Sequence, residues 1–328
     1  MIFRNIHNSR MTALIIVFLT LLIFWARLFT INMVHVTAFD NPCMPLWGNL
    51  IDPIFGYSKY TAAALSLILA FLSAFSLNRV TLKFGLLQQQ SMLPFFIYVL
   101  LSSAFLFVQK LNPVWIFTLF FILGTEHLFS SVGKRRPQAG CFNASALFGI
   151  GSLFYAKGIF LFVVFFLIMG ILRIANHKSI IAALMGLIFP FAVCFGYYLY
   201  AGSSFEFLTD LKENLLSNPG EYNHNIFSRI YMGIMILANV ISIVLSFNFM
   251  KSQKILTRRY FRCFTWMMFI LCASVLSPFY SFEIFPVIAL VSTVIISLWL
   301  DKMKRERFQE GITITLIVLT ILGQILLN

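Results

Sequence analysis

The chain has 328 residues, 60% of them hydrophobic and 11% charged, with a mean hydropathy of +0.90. Soluble domains carry about a quarter charged residues, so a water-soluble globular protein is excluded and a multi-pass membrane protein is expected. The net charge of +13 is split among six short loops; that is the pattern of cytoplasmic loops, not of a nucleic-acid surface.

Residues 1–10 carry Arg4 and Arg10, and an apolar run follows over residues 11–31, broken only by Arg27. A signal peptide has a shorter apolar region and a small-residue cleavage site. Trp25-Ala-Arg-Leu-Phe stands there instead, so this is read as an uncleaved first span. Further runs cover residues 60–77, 91–109, 113–132, 140–155, 157–173, 179–200, 229–250, 262–280, 283–300 and 311–327. The expected fold is therefore an all-α polytopic bundle, one integral membrane domain over 1–328, with about eleven crossings (ten or eleven).

Residues 140–173 decide the topology. As one straight helix they would reach about 50 Å, too long for a hydrocarbon core of about 30 Å. Basic clusters flank them: Lys134, Arg135 and Arg136 before, Arg173 and Lys178 after. Two clusters that both favour the cytoplasm need an even number of crossings between them. The stretch is therefore read as a helical hairpin of two short spans turning at Tyr155–Gly158. With the N-terminus inside and the C-terminus outside, 18 Lys and Arg fall in inner segments and 5 in outer ones, Arg27 lying within a span. Ser145 and Gly149 have the spacing that lets helix backbones approach closely, and tight packing is the favoured reading of this small-residue arm.

Two outer segments are long. Residues 32–59 form outer loop 1, where Pro42, Pro45 and Pro53 forbid a continuous helix. In residues 201–228, Glu206, Asp210 and Glu213 share one helical face and Phe207, Leu208, Leu211 and Leu215 the other. This suits a helix lying in the outer interface.

Candidate chemistry is sparse. Asp40 follows the first span, where a carboxylate can act as a base toward an acceptor hydroxyl; the plainer reading is an Asx-turn before Pro42. Arg27, near the outer end of that span, can pair with a lipid phosphate or snorkel to the headgroups. Glu126 and His127 lie in the inner part of span 113–132, where ionisable residues are costly. As sequence neighbours they point to different helix faces, and the plainer reading is interior hydrogen bonding, or Glu126 meeting the basic Lys134–Arg136 side. Lys157 sits at the hairpin turn, where it can hold a phosphate or, the favoured reading, face water. Asn143 and Asn239 are expected to make helix–helix hydrogen bonds. Five histidines and five cysteines are dispersed without metal-ligand spacing, so no metal and no cofactor are expected.

Cys141-Phe-Asn-Ala, Gly151-Ser-Leu-Phe-Tyr, Gly186-Leu-Ile-Phe-Pro and Tyr197-Tyr resemble an uncharacterised family of bacterial polytopic inner-membrane proteins. Some of its members bear an automatic carotene-oxygenase name, which would need the histidine cluster that is missing here. More distantly, the layout resembles polytopic glycosyltransferases that use polyprenyl-phosphate sugars, with an acid in the first outer loop and a small-residue hairpin. That resemblance implies Asp40 as base, Arg27 and Lys157 near the donor phosphate, and a membrane lipid or polyprenyl-phosphate-linked partner. It departs in having Asn41 where a second acid is usual and in lacking an outer soluble domain. Two other functions fit the same layout. One is a transporter or flippase that uses Glu126 and His127; the other is a non-catalytic membrane partner of an envelope assembly.

Overall fold

The computed structural model describes residues 10–30, 44, 46–56, 58–87, 91–216, 226–275, 282–303 and 305–326. Among the described residues the protein is helical and contains no β-strand. In chain order the α-helices are α1 (Arg10–Thr30), α2 (Lys59–Lys83), α3 (Leu93–Ser102), α4 (Leu106–Gln109), α5 (Pro113–Phe129) and α6 (Gln138–Phe154). They continue as α7 (Phe162–Leu172), α8 (His177–Tyr200), α9 (Ser204–Leu216), α10 (Ile226–Met250), α11 (Ile255–Val275), α12 (Phe285–Lys302) and α13 (Glu306–Leu326). A wide π-helical segment, Trp47–Gly56, takes in Pro53, so part of the predicted loop is helical after all.

Six of these helices are long and apolar enough to cross a membrane: Thr12–Thr30, Lys59–Lys83, His177–Tyr200, Arg229–Met250, Phe285–Lys302 and Arg307–Ile325. Three more apolar stretches are shorter: Leu93–Ser102, Pro113–Phe129 and Ala156–Leu172. The apolar run 91–109 is built from two pieces, α3 and α4, and α11 opens with Arg258, Arg259 and Arg262. These interruptions explain why fewer single helices reach full length than there are apolar runs.

The bundle is organised around α12. It packs against α2, α3, α5, α10 and α11, and 83% of its apolar window is buried. Every residue of α3 is buried as well. By contrast α1, α8 and α13 turn large apolar side chains outward, among them Ile23, Met185, Val193 and Ile325. An apolar surface on that scale needs a lipid-like surround.

A backbone break inside such a bundle must be satisfied locally. Between α3 and α4 the chain leaves the helix at Ser103–Phe105. The Gln324 amide on α13 donates to the carbonyl of Ser103 at 3.0 Å and to that of Phe24 at 3.1 Å. Gln109 reaches the same two carbonyls at 3.4 Å. The two glutamines therefore tie α1, the break and α13 together. Gln324→Leu is expected to cost about 1–3 kcal/mol, measured as a shift in unfolding midpoint in micelles. An unchanged midpoint would show that the carbonyls do not depend on it.

Helices α6 and α8 make the most extensive contact in the molecule, followed by α5 and α6. Two glycines set the spacing. A methyl at Gly149 would lie 2.8 Å from the Leu187 carbonyl and 3.2 Å from the Pro190 ring, and one at Gly186 would run into the Phe142 backbone. Ser145, on the same stripe, is fully buried. The small residues of the first hairpin arm thus serve backbone-to-backbone packing. Asn239 on α10 donates to Ser292 on α12 at 3.0 Å, the expected interhelical bond, whereas Asn143 is exposed.

Candidate functional site

Among the described residues, paired charged side chains with a buried member gather in three places, the last being Asp301 and Lys302 at the end of α12, 3.5 Å apart with side chains 3% and 8% exposed. The first joins α2 and α5. Glu126, 7% exposed, accepts from Lys83 Nζ at 2.9 Å and from the Arg79 guanidinium. Lys83 also reaches Ser130 Oγ at 3.2 Å. Glu126 therefore meets cations across the helix interface, not the Lys134–Arg136 cluster that follows it in sequence. His127, the next residue, is exposed. The two side chains do not share a site, and Glu126 is an anchor between α2 and α5.

The second place is built by two short 3₁₀ turns. Helix α6 stops at Phe154, Tyr155 is extended (φ −126°, ψ 90°), and Ala156–Leu161 forms the first turn. Gly158 lies on the Phe117 ring, where a Cβ would come within 2.5 Å of the ring edge. Only glycine lets the turn sit this deep, and the turn takes Lys157 inward with it. Lys157 does not face water: it is 4% exposed. The second turn, Phe282–Ile284, precedes α12 and presents Glu283, which is 1% exposed. Tyr155 donates its hydroxyl to Glu283 Oε1 at 2.9 Å, and Lys157 Nζ stands 3.9 Å from the same oxygen. A buried ammonium and carboxylate cost several kcal/mol each to desolvate, which makes such a pair a poor choice for stability alone.

Sequence reasoning singled out Lys157 but not Glu283 or Tyr155. The remaining candidates sit elsewhere. Arg27 donates to the Gln324 backbone carbonyl at the junction of α1 and α13. Asp40, with the rest of residues 31–43, lies outside the described residues. Helix α9 docks through Phe207, packed on Tyr198 with ring centroids 5.3 Å apart, while Leu208 stays half-exposed. Its Asp210 carboxyl is raised by partial burial and then by the charges of Glu213 and Glu206.

A cavity of about 740 Å³ opens between the π-helical segment, α6 and α8. Its walls are apolar, with Ala146 and Ile150 on α6 and Pro190 and Val193 on α8. Its polar groups include Asn49, whose Nδ2 donates to the Tyr198 hydroxyl at 2.8 Å.

No family model, no curated protein and no solved structure matches this chain.

Proposed function

We propose that this chain is an integral protein of the bacterial inner membrane that transfers a glycosyl group from a polyprenyl-phosphate-linked donor at the outer face. In this reading it crosses about eleven times, from an inner N-terminus to an outer C-terminus. Several contacts support the orientation. The ends of α2 and α5 and the start of α11 meet through Phe84, Phe129 and Tyr260, with ring centroids 4.6–5.2 Å apart. That contact gathers Arg79, Lys83 and the basic start of α11 at one end, as a cytoplasmic side requires. The C-terminal ends of α1 and α13 also meet, at Arg27 and Gln324. First and last crossings that run parallel require an odd total.

The observation that carries the reading is the buried Lys157–Glu283–Tyr155 group. Buried ions within a membrane bundle mark working sites by default, and in this topology both turns belong to the outer end. Glu283 compensates the Lys157 charge until a donor phosphate takes its place. Asp40 acts as the base that accepts the acceptor's hydroxyl proton. The test uses the full chain in proteoliposomes with a polyprenyl-phosphate hexose labelled in the sugar. Asp40→Asn should leave protein level and unfolding midpoint intact and lower transfer by about a hundredfold or more. Transfer at the unaltered rate in that variant ends the proposal.

A further inference from the structure

The cavity between the π-helical segment, α6 and α8 is not used by the reaction above, and its chemistry is distinct. Among the described residues, its lining includes no charged side chain. Its outer wall is continuous with the bilayer-facing side of α8, where Phe189, Val193 and Tyr197 are all more than half exposed. A chain methylene fills about as much space as a water molecule, roughly 30 Å³, so the volume holds about two dozen chain carbons. One rim is polar and built. Tyr198 is 8% exposed, and its oxygen accepts from Asn49 at 2.8 Å. That leaves the Tyr198 O–H to donate to a ligand acceptor.

We propose that this groove binds a diacyl glycerophospholipid, one acyl chain lying between α6 and α8 and an ester carbonyl accepting from Tyr198. Two features choose this occupant over an isoprenoid phosphate. An ester carbonyl is the neutral acceptor that the Tyr198 hydroxyl suits, and an isoprenoid phosphate has none. Among the described residues the lining has no cation to neutralise a phosphate drawn into it, whereas a phospholipid leaves its phosphate in the headgroup layer. The proposal does not depend on glycosyl transfer.

Native mass spectrometry of the full chain, extracted from dioleoyl-phosphatidylcholine proteoliposomes, tests it. One phosphatidylcholine should remain bound per chain. Val193→Trp narrows the groove from an exposed wall position and should reduce retention severalfold without shifting the unfolding midpoint. Tyr198→Phe should weaken retention while keeping the ring in place. Added polyprenyl phosphate should not displace the phospholipid at equimolar amounts. Equal retention in wild type and Val193→Trp overturns the proposal, as does displacement by the polyprenyl phosphate. Glycosyl transfer measured on the same samples reports on the reaction separately, because none of these changes touches Asp40, Lys157 or Glu283.

Discussion

Lys157→Met is expected to destabilise the protein by about 3–5 kcal/mol, because it strips a buried carboxylate of its counter-ion. Glu283 cannot turn to water: it is 1% exposed beneath the start of α12. Tyr155 still donates a hydrogen bond to it, but a neutral hydroxyl does not replace the charge of an ammonium. The double variant Lys157→Met with Glu283→Leu removes both charges and should recover most of the loss, since apolar replacements of buried pairs are often neutral or better. A double-mutant cycle on unfolding midpoints in micelles measures this coupling, and strictly additive losses would refute it. The double variant also separates folding from function. Folded but unable to transfer, it would place the pair in the reaction; folded and active, it would reduce the pair to architecture.

Gly186→Ala should cost about 1–3 kcal/mol, the range for forcing extra atoms into a packed interior. The added methyl meets the Phe142 backbone, and backbone cannot rotate aside as a side chain can. Helix α8 must slide outward from α6, so the Gly149 contact with Leu187 and Pro190 loosens in the same movement. Gly149→Ala should therefore be less than additive with Gly186→Ala. Gly196 supplies a control on the same helix. Nothing lies within 4 Å of a methyl there, so Gly196→Ala should be neutral or stabilise by up to about 1 kcal/mol. Equal effects at the two positions would mean that backbone entropy, not close approach, governs them.

Much of this architecture was legible in the residues. Apolar runs give the helices, and the Ser145–Gly149 spacing gives the tight face of α6. The pairing of Lys157 with Glu283 was not legible, because 126 residues separate them and nothing local in either turn names its partner. For Glu126 the sequence offers interior hydrogen bonding or the nearby Lys134–Arg136 side; a helix presents its side chains to neighbouring helices, and α2 supplies Arg79 and Lys83. Lys157 was read as facing water because a lysine at a turn usually does. The depth of the turn is set by the fit of Gly158 to Phe117, a contact without a sequence signature. Gln109 and Gln324 offered a signal that went unread. An uncharged amide inside an apolar run needs partners, and the backbone opening between α3 and α4 provides them.

The Gln324 clasp also bears on how the molecule is made. A ribosome delivers Phe24 and Ser103 some 300 and 221 residues before the glutamine that satisfies them. During synthesis Gln109 alone of the two glutamines can bridge those carbonyls. A nascent chain stalled before α13 therefore lacks one of the two ties between its first helix and the opening after α3.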